Sequence, residues 1–365
     1  MPARVSIFLP SLAGGGAERA ISTLAGGLAA RGAEVCLVLG QARGPYLGDV
    51  DARVRIVDLH RTSLPAALPA LVRHLRDERP DALLAAMSHA NVVAALAHRL
   101  ARSKARLVLS ERVHVSSLFL GYRGWRMRLT RTLMRLTYPW AERMVTVSDG
   151  VAQDLLLHVP LAPSRVLAIP NPVVDEALHA RAAAAPAHAW LASRDVPVLL
   201  GVGRLNAQKD FATLIAAFAS LRRTRPLRLL ILGEGEERGA LLEQARSLGV
   251  AGDVALPGFD ANPFAAMRAC SAFVLSSRYE GLPGVLIQAM ACGARVVSTD
   301  CPSGPSEVLQ GGRWGRLVPV GDSAAMAAAI AATLDDPAPP DARLRAADYT
   351  APLAVQRYAE VLGLP

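Results

Sequence analysis

A chain of 365 residues, 52% apolar and 19% charged, can bury more than one core and is globular rather than disordered. Its net charge of +9 admits nucleic acid, an anionic membrane or acidic small molecules as partners, so the positions of the charges must choose. No apolar run reaches the roughly 18 residues of a transmembrane helix, and residues 2–10 lack the three regions of a signal peptide.

Apolar runs of four to six residues alternate with helical patterns along both halves. In the first half the predicted strands are 5–9, 35–39, 54–57, 82–87, 107–109 and 144–147, with helices at 17–31, 64–78 and 90–101. In the second, strands 198–202, 228–232, 254–256, 272–275 and 295–298 alternate with helices 211–224, 238–248, 263–270 and 286–292. Such runs belong to α/β domains whose parallel sheets are covered on both faces. Pro170 and Pro172 mark a linker, since neither a helix nor a central strand continues through them. The expected division is a domain at 1–168, a linker at 169–175, a second domain at 176–348 and a C-terminal helix at 349–365. Four cysteines, at 36, 270, 292 and 301, have neither metal-ligand spacing nor disulfide density and read as thiols of a cytoplasmic protein.

Several loops carry chemistry. Gly15 and Gly16 lie between the first strand and its helix, where backbone can approach a phosphate. The dinucleotide fingerprint is not met there, because Arg19 stands where its third glycine belongs. After strand 198–202, Gly203 precedes Arg204 and Lys209, two cations that can converge on one dianion. After strand 272–275 come Glu280, the turn Gly281-Leu282-Pro283-Gly284, Val285 and the start of a helix. That arrangement suits an anion with a sugar hydroxyl beside it.

Taken together, G-G-A-E-R at 15–19, G-R-x-x-x-x-K at 203–209 and Glu280 with Gln288 in an E-x7-E frame resemble retaining glycosyltransferase family 4. Gln288 stands where the second glutamate is usual. The resemblance implies the GT-B fold: two doubly wound Rossmann-like domains facing across a cleft, acceptor side first and donor side second. It also implies that the last helix packs back on the first domain. The catalytic set it implies is Arg204 and Lys209, stabilising a departing diphosphate, with Glu280 near the hydroxyls of the transferred sugar. The donor-binding set is Gly15, Gly16, Gly203, Gly258, Phe259, Asn262, Gly281, Leu282, Pro283, Gly284, Val285 and Gln288. Within it, the loop 256–262 would recognise the base and Gln288 the ribose. The loop 301–307, with Ser303, Gly304 and Glu307, resembles a segment lying near the cleft in bacterial polysaccharide and glycolipid transferases. Glu111, Arg112, His114 and His89 follow strands of the first domain and are acceptor or cleft candidates.

The implied reaction moves a sugar, expected to be UDP-linked, to a glycan or lipid-linked acceptor with retention. No cofactor and no metal are expected, since Arg204 and Lys209 do the work of one. Two alternatives stay open: an epimerase or hydrolase of the same fold, and a degenerate nucleotide-sugar-binding subunit to which Gln288 points.

Residues 118–141 contain no acid but include Arg123, Arg126, Arg128, Arg131 and Arg135. Arg128, Arg131 and Arg135 share one helical face, with Trp125, Leu129, Leu133 and Leu136 opposite. A helix over 122–137 is therefore expected to meet an anionic membrane, placing the protein peripherally on the inner face of the cell membrane. The rival reading packs the apolar face onto the sheet and leaves the arginines solvated. Nucleic acid is not expected, with aromatics at 5% and no zinc, recognition-helix or stacking motif.

Overall fold

The computed structural model describes residues 2–13, 15–121, 125–193 and 195–364. It divides into two units, Met1–Pro172 with Ala351–Pro365, and Val173–Thr350.

In the first unit the order is β1 (Arg4–Leu9), α1 (Gly16–Ala30), β2 (Glu34–Leu39), β3 (Arg55–Asp58), α2 (Leu64–Glu78), β4 (Ala82–Ala86) and α3 (Ser88–Ala101). There follow β5 (Arg106–Glu111), α4 (Val115–Gly121), α5 (Trp125–Thr137), β6 (Arg143–Thr146), α6 (Asp149–His158) and β7 (Val166–Ala168). The second unit holds α7 (Glu176–Ala182), α8 (Ala189–Ser193), β8 (Val198–Val202), α9 (Phe211–Arg222), β9 (Arg228–Leu232), α10 (Arg238–Ser247) and β10 (Val254–Gly258). It continues through α11 (Pro263–Ala269), β11 (Ala272–Leu275), α12 (Gly284–Ala291), β12 (Val296–Thr299), α13 (Pro305–Val308), β13 (Arg316–Val318), α14 (Ser323–Leu334) and α15 (Arg343–Ala346). Helix α16 (Ala351–Leu362) returns to the first unit.

The first sheet has the order β3-β2-β1-β4-β5-β6-β7 and the second β10-β9-β8-β11-β12-β13, with all pairings parallel. The expected α/β class with two doubly wound sheets is the one observed. Strand alternation gives each sheet two cores. Along β1, Val5, Ile7 and Leu9 pack with Leu24, Leu28 and Tyr358, while Phe8 packs on the other face with Leu71 and Leu83. Along β8, Val198 and Leu200 face Leu286 and Met290, whereas Leu199 faces Phe218 and Leu214. The three-residue edge strands β7 and β13 were not expected, because runs that short carry no readable period.

Helix α16 packs on α1 at Gly27, where a Cβ would lie 2.3 Å from Val355 Cγ2. A glycine in mid-helix costs about 1 kcal/mol of propensity, and this close approach is what it permits. Helix starts are capped by Ser148 on α6, Asp175 on α7, Asp210 on α9 and Asp322 on α14.

Candidate active site

Open parallel sheets bind ligands beyond the carboxyl ends of their strands, where strand order reverses. In the second unit that point lies between β8 and β11, so the loops 203–210 and 276–283 flank it. Lys209 Nζ meets Glu280 Oε1 at 2.6 Å, and Ser277 Oγ donates to the same oxygen at 2.7 Å. Glu280 is only 7% exposed, and a carboxylate so enclosed requires partners of this kind.

Further bonds tie the two loops together. Ser276 Oγ donates to the Lys209 carbonyl at 2.7 Å, and Gln208 Nε2 to the Tyr279 carbonyl at 2.9 Å. The Arg278 N–H donates to the Gln208 carbonyl at 2.8 Å. Buried Asp210 accepts from Thr213 at the start of α9 and meets Arg278 Nε at 3.1 Å. Arg204 is exposed and makes no ion pair among the described residues. One cation is thus locked to a carboxylate and the other stands in solvent.

Helix α12 starts at Gly284 after Pro283 with no side-chain cap bond; the Gly284 N–H donates to the Leu282 carbonyl at 2.9 Å and the Leu286 N–H to the Pro283 carbonyl at 3.0 Å, and the positive end of the helix faces the turn. The 300–304 loop packs on this turn. The Glu280 N–H donates to the Pro302 carbonyl at 3.3 Å. Gly304 has φ of 96°, and a Cβ there would lie 2.5 Å from Pro283 Cδ. Burial, with the Glu280 charge adding to it, pushes the Cys301 thiol up to about 12.

The other donor candidates are less uniform. Gln288 is half-buried on α12 and makes no side-chain hydrogen bond among the described residues. Gly203 donates its N–H to the Leu232 carbonyl at 3.0 Å, and Gly258 accepts from the Gly233 N–H at 2.8 Å. Phe259 is 81% exposed, but Asn262 turns inward and donates to the Arg181 carbonyl at 2.9 Å. Gly281, Leu282 and Val285 are half-buried and Pro283 buried. Gly15 caps α1 by its backbone and Gly16 is that helix's first residue; Gly14 lies outside the described residues.

In the first unit strand order reverses between β1 and β4. Met87, leaving β4, takes the unusual φ of 82°, and His89 beyond it is exposed on the first turn of α3. Of the other candidates, the Glu111 and Arg112 side chains are both buried within the first unit. Glu111 is wholly enclosed, accepting from Ser88 Oγ at 2.9 Å, Tyr138 OH at 2.8 Å and the Arg112 N–H at 3.1 Å. Burial raises its carboxyl and raises the Tyr138 phenol as well. Arg112 is 6% exposed and donates to Asn171 Oδ1 and to Tyr358 OH. Both residues brace the unit from within. His114 is half-buried, with Nδ1 2.9 Å from Ser117 Oγ and Nε2 3.5 Å from Asp154 Oδ1.

A sequence profile described as Glycosyltransferase Family 4 matches residues 14–177, and one described as Glycosyl transferases group 1 matches 196–336. N-acetylgalactosamine-N,N'-diacetylbacillosaminyl-diphospho-undecaprenol 4-alpha-N-acetylgalactosaminyltransferase from Campylobacter jejuni is 30% identical, over 91% of this chain and 90% of its own. The chain belongs to glycosyltransferase family 4. A second relative, the lipopolysaccharide core biosynthesis glycosyltransferase LpsE of Rhizobium meliloti, is 32% identical over 87% of this chain and 84% of its own. Among solved structures, Anabaena HepE in complex with UDP and glucose superposes with a TM-score of 0.81, at 21% identity and 99% coverage of both chains. The protein is therefore a glycosyltransferase, and its fold is shared with that solved structure.

Helix α5 of this family 4 enzyme differs from the helical-wheel expectation. The side facing the core is Thr130, Met134 and Thr137, at 8%, 1% and 1% exposure. Trp125, Leu129 and Leu136 instead face solvent at 70%, 48% and 58%, and Arg128, Arg131 and Arg135 are exposed as well. Arg123 and the side chain of Arg126 lie outside the described residues. Sequence reasoning assigned no roles to Ser276, Gln208, Asp210 or Thr299. Consecutive serines at a strand end, before a loop carboxylate, were the signal available for the first of these.

Proposed function

We propose that this glycosyltransferase moves a sugar from a UDP-linked donor, with retention, to a lipid-linked glycan or envelope polysaccharide at an anionic membrane face. The observation that carries the reading is the Lys209–Glu280 pair, 2.6 Å apart at the strand-order reversal, with exposed Arg204 on the same loop. Lys209 has three N–H donors and gives one to Glu280, which leaves two for a diphosphate. With Arg204 and the start of α12 it supplies positive charge where a leaving diphosphate gathers negative charge. These cations do the work a divalent metal performs elsewhere. Glu280 accepts a hydroxyl of the transferred sugar.

UDP is favoured because HepE was solved with it, and a lipid-linked acceptor because the Campylobacter relative is named for one. The membrane face is supported by Trp125, Leu129 and Leu136 standing exposed beside three arginines. Among the described residues no helix is long and apolar enough to cross a membrane.

Calorimetric titration with UDP, GDP and ADP in EDTA, for the wild type and Lys209→Ala, tests the donor site. Selective UDP binding that the variant loses supports it, and binding of none of the three overturns it. Turnover of donor only when acceptor membranes are added separates a transferase from a hydrolase, and the anomeric configuration of the product by NMR tests retention.

A further inference from the structure

We propose that Ser277 is a positioning residue that decides which oxygen of Glu280 meets the sugar of the donor. The inference rests on the reading of Glu280 given above. A carboxylate offers two oxygens and about four lone-pair sites. Here Oε1 takes both Lys209 Nζ at 2.6 Å and Ser277 Oγ at 2.7 Å, while Oε2 accepts no hydrogen bond among the described residues. The two ends of one carboxylate are thereby made unlike, and Oε2 is the end left for a ligand hydroxyl.

Lys209 cannot hold that orientation by itself. Its ammonium ends a flexible four-carbon stem and is drawn to the phosphates once a donor binds. The terminal torsion of a glutamate is broad and roughly two-fold, so a carboxylate tied only to Lys209 would turn with it. Ser277 does not move in that way. It is fully enclosed, and its carbonyl accepts from Thr299 Oγ1 at 2.6 Å, which pins it to the end of β12. Its neighbour Ser276 holds the Lys209 carbonyl instead, at 2.7 Å. Two adjacent serines thus serve the two halves of the ion pair separately: Ser276 the cation's backbone, Ser277 the carboxylate.

The test compares wild type, Ser277→Ala and Ser276→Ala. Calorimetry measures the affinities for UDP, UDP-glucose, UDP-N-acetylglucosamine and UDP-N-acetylgalactosamine, and turnover is followed with acceptor membranes. Ser277→Ala is expected to bind UDP within about twofold of wild type, to lose about tenfold of the added affinity the sugar brings, and to lower kcat at least as much. Ser276→Ala is expected to weaken UDP and sugar nucleotide together. Equal loss of UDP and UDP-sugar affinity in both variants would reduce Ser277 to a tie within the loop and overturn the proposal. An unchanged sugar increment and kcat in Ser277→Ala would overturn it as well. Failure of the wild type to bind any of these compounds is a separate result: it removes the donor reading itself, and this role with it.

Discussion

Arg204 and Lys209 sit on one loop yet differ in what their removal should do. Arg204 is exposed and unpaired among the described residues, whereas Lys209 is the cation beside a carboxylate that is almost fully enclosed. Both Arg204→Ala and Lys209→Ala should lower turnover by roughly two to three orders of magnitude, the scale of losing one preorganised donor to a transition-state anion. Thermal melting should separate them. Arg204→Ala should melt within about 0.5 kcal/mol of wild type, while Lys209→Ala strands Glu280 and should lose roughly 1–3 kcal/mol. Lys209→Met with Glu280→Gln should recover most of that stability and none of the turnover. At the same scale, Glu111 shows what a sequence cannot tell. A polar residue at a strand's carboxyl end reads alike whether turned outward or inward, and only the placement of Ser88 and Tyr138 around it turns it inward.

At the scale of elements, α5 divides its residues in a way a helical wheel misassigns. A wheel sorts by hydropathy, but burial depends on which neighbours are supplied, and α3 packs against α5 on the side of Thr130 and Met134. Leu129→Glu with Leu136→Glu should therefore leave folding nearly unchanged and abolish sedimentation with anionic vesicles. Met134→Ala should cost about 2–5 kcal/mol of stability, as core truncations do, without altering vesicle binding by the folded protein. Replacing Arg128, Arg131 and Arg135 with alanine should weaken binding to anionic vesicles about a hundredfold, at about 1 kcal/mol for each charge. Equal vesicle binding by the wild type and the Leu129→Glu, Leu136→Glu variant would remove α5 as the docking element.

For the molecule as a whole, stability should fall with acidity in a definite window. His74 lies buried against Ser6, with Nε2 2.9 Å from the hydroxyl, and burial lowers its pKa from 6.5. Arg55 lowers it further, while Glu78 and Asp77 oppose the shift. Burial also lowers His158 and His188. The unfolded chain then binds more protons than the folded one below 6.5, so these groups add stability above that pH and withdraw it as pH falls toward the folded values. These histidines should lower the melting temperature between pH 7.5 and 5.5, opposed by Glu111, whose raised carboxyl takes up protons more readily in the folded chain, and His74→Gln should reduce the drop. A profile with the same slope in that variant would exclude His74 as a source. Deleting residues 351–365 should also disable the first unit, because Tyr358 is fully buried there and bonds Arg112.

The sequence by itself determined the alternation of strands and helices, the two-domain α/β class, and the loops on which Arg204, Lys209 and Glu280 lie. Long apolar runs, prolines and the order of motifs are local signals, and each acts through the chain's own periodicity. Tertiary structure alone decided that Lys209 and Glu280 are partners, that two serines hold them, that Glu111 and Arg112 turn inward, and that α5 leaves Trp125 and two leucines in solvent. Most of those outcomes depend on residues far apart in the chain, as Lys209 and Glu280 are at 71 positions and Arg112 and Tyr358 at 246, or on which helix packs beside which, and no local period encodes such distances.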